Sequence, residues 1–201
     1  MRDDEAMKAP LPASADLERI CKGLAALDVI ACEDWESRCY SFNAKWNAKR
    51  KERMASMRNG SGDDWFIVFA PHGTFVKSFW HEYRRQDVKA IYRDAPKAVA
   101  HNLREPAFSM DDVTYGGWHD GASWTLRGNA KPMKGELTML AGAAKTYCAY
   151  AAECFELKLP HAAVAHVLAG KPLNARLLAQ LKAERSLGAL KADLAEIAYG
   201  K

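Results

Sequence analysis

Long hydrophobic runs are missing from this chain of 201 residues: its most apolar continuous stretch, Trp65 to Ala70, is six residues long, far short of the roughly 20 that a membrane helix needs. No membrane association is expected. Close cysteine pairs are missing too. The five cysteines, Cys21, Cys32, Cys39, Cys148 and Cys154, are an odd number with no C-x-x-C among them, which suits neither a disulfide-stapled secreted scaffold nor a zinc site. Reduced thiols in a cytoplasm are the simplest reading. The first residues, Met1-Arg2-Asp3-Asp4-Glu5-Ala6, are acidic where a signal peptide is basic, and no apolar segment follows, so residues 1–13 read as a flexible tail. Charge of one sign is scarce. Twenty-nine Lys and Arg against 25 Asp and Glu leave +4, an excess that permits a polyanionic partner without demanding one.

Signatures of chemistry are absent as well. No glycine-rich phosphate cradle of either common spacing occurs. Gly60-Ser61-Gly62 and Gly121-Ala122-Ser123-Trp124-Thr125 both fall short of the G-x-S-x-G nucleophile elbow. The Gly60 to Asp64 loop lacks the alternating oxygen ligands of a calcium loop, and His161 and His166 are five apart, so they do not share a helix face as metal ligands. No cofactor and no metal are expected.

What is present describes an ordinary globular chain, 49% apolar and 27% charged, of a length that suits one compact unit. Ser14 is placed to cap a helix whose Leu17, Ile20, Cys21, Leu24 and Leu27 form one stripe. From about residue 36 the period becomes two, with Tyr40, Phe42, Ala44 and Trp46 on one face. Lys49 to Glu52 breaks this strand, Asn59-Gly60 and Gly62 make a reversal, Trp65 to Phe69 is apolar on both faces and so central, and Thr74 to His81 is a further strand after Pro71-His72-Gly73. A meander of about four strands is expected over residues 37–82, with a second hairpin at Asp112 to Trp118 and Ser123 to Leu126 extending it. Ala95 to Leu103 reads as a helix with Pro96 in its first turn.

Near residue 132 the composition changes. Sixteen of the twenty aromatic residues lie between positions 35 and 124, whereas Ala and Leu dominate afterwards, and aromatics suit sheets as Ala and Leu suit helices. Leu137 to Phe155 keeps helical spacing for five turns, and shorter helices follow at Pro160, Asn174 and Ser186. The expectation is an α+β fold: a tail over 1–13, a helix and an antiparallel meander of four to six strands over 14–130, and a helical subdomain over 131–201 packed on the sheet.

Three groups of residues are candidates for function. A small hydrolase would need His81 and His119 to converge from neighbouring hairpins, with Asp63, Asp64, Asp111 or Asp112 orienting an imidazole. The spacing does not enforce this, and strand-end residues chosen for local hydrogen bonds account for the same pattern. The basic run Lys45, Lys49, Arg50, Lys51, Arg53 and Arg58, with Phe42 and Trp46 close by, could hold single-stranded nucleic acid by phosphate contacts and base stacking. It also describes a solvated strand edge, where lysine discourages edge-to-edge pairing, and the small net charge favours the edge. Of the six tryptophans, Trp65 and Trp80 belong in the core. Trp118 and Trp124, which flank the His119-Asp120-Gly121 turn, are the expected recognition surface.

The segments Ser41-Phe42-Asn43-Ala44-Lys45-Trp46, Met54-Ala55-Ser56-Met57-Arg58-Asn59-Gly60, Gly62-Asp63 and Glu105-Pro106-Ala107-Phe108-Ser109-Met110-Asp111-Asp112 resemble those of a group of small bacterial cytosolic proteins without an assigned activity. That resemblance implies no catalytic residue. Its look is similar to that of immunity proteins, which neutralise secreted toxins, by analogy alone. The combined expectation is a non-catalytic protein-binding protein with a toxin-like partner, using Trp118, Trp124, His119 and Asp120 together with Lys49, Arg50 and Lys51. A small hydrolase and a single-stranded nucleic-acid binder are the alternatives.

Overall fold

The computed structural model describes residues 11–200. The expected tail falls mostly outside them. Its last residues are packed: Leu11 is buried and the Pro12 carbonyl accepts a hydrogen bond from Trp124 Nε1 at 2.8 Å. Helix α1, Ser14–Ala31, follows the stripe read from its apolar spacing, and the small residues beside that stripe let it sink into the core on almost every side. Its N-cap is Ala13. The Ser14 hydroxyl instead meets that of Thr74 at 2.5 Å.

Six strands, β1 (Tyr40–Asn47), β2 (Glu52–Arg58), β3 (Asp64–Ala70), β4 (Gly73–Phe79), β5 (Tyr115–His119) and β6 (Trp124–Gly128), form one antiparallel sheet in sequence order. The fold is α+β with a meander sheet, and β3 is internal as its two-sided apolarity requires. Ser41, Ser56, Phe66, Lys77, Gly116 and Arg127 stand side by side across the sheet, which fixes which residues share a face.

Both faces are covered. On the first, Phe42, Met57, Trp65, Ile67 and Val76 pack against α1 and the C-terminal helices. On the second, Met54, Phe66, Val68, Phe75 and Trp118 are covered by Ile91, Tyr92, Val99, Phe108 and Val113. That cover is the excursion between β4 and β5, which holds α2 (Val88–Ile91), α3 (Lys97–Ala100) and the 3₁₀ turns His101–Arg104 and Pro106–Phe108. The single helix expected over Ala95 to Leu103 is thus one α turn running into a 3₁₀ turn. Tyr92 lies directly over β5: its hydroxyl donates to the Val76 carbonyl at 2.7 Å, and a Cβ at Gly116 would stand 2.3 Å from the Tyr92 hydroxyl oxygen. Only glycine admits the ring there.

The face read for β1 is corrected in one place. A bulge between Asn43 and Asn47, set by the Asn43 side chain accepting the Lys45 N–H at 2.8 Å, turns Trp46 to the second face, where it stacks on Phe108. Simple alternation cannot carry that information. Likewise, the five-turn helix read from Leu137 to Phe155 is two helices, α4 (Lys134–Leu140) and α5 (Ala144–Cys154), divided at Gly142 with φ +80°. An apolar stripe continues through a break when both pieces rest on the same core. Helices α6 (His161–Leu168), α7 (Ala175–Gln180) and α8 (Leu187–Ile197) complete the bundle, with Asn174 and Ser186 capping the last two as expected. Among the described residues, no helix is long and apolar enough to cross a membrane.

Candidate functional site

The sheet has two ends, and the candidate residues divide between them. At the β2–β3 turn, Asp63 accepts from the Asn59 side chain at 2.8 Å, from the His81 backbone N–H at 2.9 Å and from His81 Nδ1 at 2.8 Å. Desolvation pushes the Asp63 carboxyl up, but these bonds outweigh it and hold the group below its ordinary range. Beside it, Asp64 pairs with Lys77 at 2.6 Å, and Lys77 is wholly buried between the rings of Phe66 and Phe79. Desolvation lowers the Lys77 ammonium and raises the Asp64 carboxyl, each opposed by the other's charge. Asp112 is taken by Arg85, and Arg58 lies over Phe66.

His119 is at the other end. It pairs with Thr74, and the strand from Thr74 to Phe79 alone runs roughly 17 Å at about 3.4 Å per residue. The convergence of His81 with His119 is therefore corrected: the structure joins His81 to Asp63 only, ties Asp64 to Lys77 and Asp112 to Arg85, and leaves Asp111 exposed. His119 is buried, its Nδ1 accepting the Gly121 N–H at 3.0 Å and its ring edge-on to Trp124.

The hairpin read as a recognition surface is mostly internal. Trp118 is 5% exposed and sits in the second core beneath Arg127. Trp124 is half-buried against the first core, with its N–H on Pro12. Strand alternation sends these two rings to opposite faces, and both faces are covered, which the sequence pattern of the 84–104 excursion did not reveal. Asp120 alone of the four expected residues is at the surface, where its carboxylate accepts the Ala122 and Ser123 N–H groups. Lys49, Arg50 and Lys51 are exposed on the β1–β2 turn as expected. Arg53 is not part of that surface, because its guanidinium bonds both Glu18 oxygens, at 2.9 and 2.7 Å, on the opposite face. Trp65 is in the core, and Trp80 is half-buried with its N–H unpartnered.

Two features escaped the sequence reading. The first is Asp28, buried inside α1. It accepts the N–H groups of Cys39 and Tyr40, at 3.0 and 2.9 Å, and the hydroxyls of Tyr147 and Tyr150, at 2.9 and 3.2 Å. Burial drives its carboxyl up and those bonds pull it back, leaving it at about 7. Tyr40 continues the network to Glu136, which also accepts Trp65 Nε1 at 2.9 Å. An acidic residue in the middle of an apolar helical face was the available signal.

The second is Trp35. At 64% exposure it is the barest of the large apolar side chains among the described residues. Its 3₁₀ turn, Trp35–Ser37, is capped by Asp34, which accepts from Glu36 N–H and the Ser37 hydroxyl. Arg38 clamps the same loop by donating to the Cys32 and Glu33 carbonyls at 2.9 and 2.7 Å. Trp35, Arg38, Tyr40, Phe42 and Glu196 line a surface cavity of about 40 Å³ along the outer edge of β1. The Cys39 carbonyl accepts from Arg58 on β2, so by antiparallel alternation the backbone groups of Tyr40 and Phe42 point outward. Asp28 takes the Tyr40 N–H, and Phe42 is buried where α8 packs against this edge.

A second cavity, about 460 Å³, lies between α1 and the ends of α6 and α8. Its volume suits a small molecule, but its charged groups are already engaged: Glu18 with Arg53 and Lys22, Arg19 with Asp16 and the Leu168 carbonyl. Among the described residues, no cluster of His, Cys, Asp and Glu could hold a metal ion. Comparison with family models, with curated proteins and with solved structures finds no match to this chain. The resemblance to small bacterial proteins accordingly rests on the quoted segments alone.

Proposed function

We propose that this chain is a non-catalytic protein-binding protein of the cytoplasm, acting in the manner of bacterial immunity proteins on a toxin-like partner, with its contact surface centred on Trp35 and the cavity beside it. The observation that carries this reading is a tryptophan held 64% exposed on a clamped turn. A rigid aromatic group loses little entropy when it is covered, which is why tryptophan dominates binding hot spots. Beside Trp35, Arg38 on the loop and Asp193 and Glu196 on α8, which packs against β1, supply a charged rim. The adjoining cavity has room for one small side chain. Five free thiols support the cytoplasmic part of the reading.

Affinity capture from the native host is expected to recover one stoichiometric protein. Purified, it should bind the Trp35→Ala variant at least about 30-fold more weakly than the wild type, the loss of a hot spot worth about 2 kcal/mol. Equal affinity would remove Trp35 from the interface, and repeated recovery of the chain alone would remove the reading.

One observation favours a second reading. Asp63 orients His81 through Nδ1, and the imidazole side chain is 46% exposed, the relation that a general base needs. A hydrolase would lose at least about 100-fold of its turnover in a His81→Ala variant. The protein-binding reading predicts no turnover by either protein across ester, phosphoester and amide substrates.

A further inference from the structure

The basic end of the sheet is larger than the run in the sequence. Lys45, near the end of β1, and Lys49, Arg50 and Lys51, at the β1–β2 turn, are all exposed, and none of them forms an ion pair among the described residues. The one acid in the run, Glu52, is buried and directed to the second face, where its Oε1 lies 2.6 Å from His101 Nε2, although the two are not aligned for a hydrogen bond. That contact brings the α3 segment against the turn. Lys97, four residues before His101 in α3, and Arg104, three residues after it in the 3₁₀ turn, share its face. Both are exposed and unpaired among the described residues. Glu105, the next acid in the chain, is occupied in capping the Ala107 N–H.

Trp46 stands within this patch. One side of its indole stacks on Phe108, with ring centroids 6.0 Å apart and planes 19° from parallel, and the residue remains partly exposed. Phe108 in turn packs on Phe66 and Phe75, so the platform is rigid. Unpaired cations around a braced, partly open aromatic ring are what a single strand of nucleic acid recognises: phosphates meet the cations and a base stacks on the ring. The β1–β2 hairpin is tied into a six-stranded sheet and α3 is a single turn, so neither stands free to lie in the groove of a duplex. An acidic protein face would engage the cations too, and competition by polyglutamate separates it from a nucleic acid.

From this juxtaposition we infer that Lys45, Lys49, Arg50, Lys51, Lys97 and Arg104, with Trp46, form a binding surface for single-stranded nucleic acid, separate from the Trp35 edge. Arg53 and Arg58, the remaining bases of the sequence run, take no part.

The test is fluorescence anisotropy with a labelled single-stranded oligothymidylate of about 20 nucleotides. When every cation of the patch meets a phosphate, the salt slope is about −4, and affinity falls about 300-fold between about 50 and 200 mM salt. A variant carrying Lys49→Gln, Arg50→Gln and Lys51→Gln should halve that slope and lose only about 20-fold over the same range. Trp46→Leu should weaken binding about tenfold at either salt without changing the slope. Arg53→Gln and Arg58→Gln should leave both quantities unchanged. Far-ultraviolet circular dichroism of each variant confirms that it is folded, and the triple variant decides the matter should Trp46→Leu not fold. No binding at about 50 mM salt would overturn the inference. So would equal weakening by the triple and the Arg53 and Arg58 variants, or competition by polyglutamate as strong as by unlabelled oligonucleotide with no effect of Trp46→Leu.

Discussion

Asp28→Ala is expected to cost about 4 kcal/mol or more of folding stability, a large part of the roughly 5–15 kcal/mol that a domain possesses. The carboxyl collects donors from two chain segments: the backbone at the start of β1, through Cys39 and Tyr40, and α5, through Tyr147 and Tyr150. Alanine leaves all of them without this acceptor at a position closed to solvent, and each unsatisfied buried group costs about 1–3 kcal/mol. Relief from desolvating the carboxyl offsets part of that sum. Asp28→Asn should cost far less, about 1–2 kcal/mol. Its carbonyl oxygen can take the place of Oδ2, which receives Cys39, Tyr40 and Tyr150, while its amide faces Tyr147. Urea unfolding followed by tryptophan fluorescence measures both. An alanine variant within about 1 kcal/mol of the wild type would contradict the assignment of Asp28 as the residue that joins α1, β1 and α5.

The same residue makes stability depend on pH in an uncommon direction. Its carboxyl titrates at about 7 in the folded protein against an ordinary 3.8, desolvation being the largest cause. Between those values the folded state holds a proton that the unfolded state has released, so stability falls as pH rises from about 4 to about 7 and levels off above that. The full effect of this group is about 4 kcal/mol. Glu136 and Asp64, also raised by burial, act in the same sense, whereas Glu18 and Asp63, held low, act in the opposite one. Comparison of wild type with Asp28→Asn isolates the residue. The wild type is expected to lose several kcal/mol more than the variant between pH 5 and 8, on the order of 3. Parallel profiles would show that Asp28 is ionised throughout.

Much of the fold was legible because periodicity reports burial directly. The meander, the internal position of β3 and the change to helices near residue 132 all follow from which side chains need cover. The second cover was not legible. Residues 84–113 hold short turns whose apolar groups, Ile91, Tyr92, Val99, Phe108 and Val113, follow no regular period, and without that layer nothing in the pattern covers Trp118. The site was less legible still. His81 meets Asp63, and His119 does not, because a residue at each end of β4 is separated by the length of the strand, a fact that the hairpin order conceals. Lys97 and Arg104 join the basic turn only through His101 and Glu52, residues far apart in sequence. Trp35 lies outside every periodic segment, so no pattern distinguished it from the buried tryptophans.

The most direct measurement is hydrogen–deuterium exchange on the chain alone and in complex with the protein captured from its host. Slowed exchange is expected at the turn around Trp35 and at the loop that Arg38 clamps, with the Asn59 to Asp63 turn and the 119–124 hairpin unchanged. Protection centred on His81 and Asp63, with the Trp35 turn exchanging freely, would contradict that expectation.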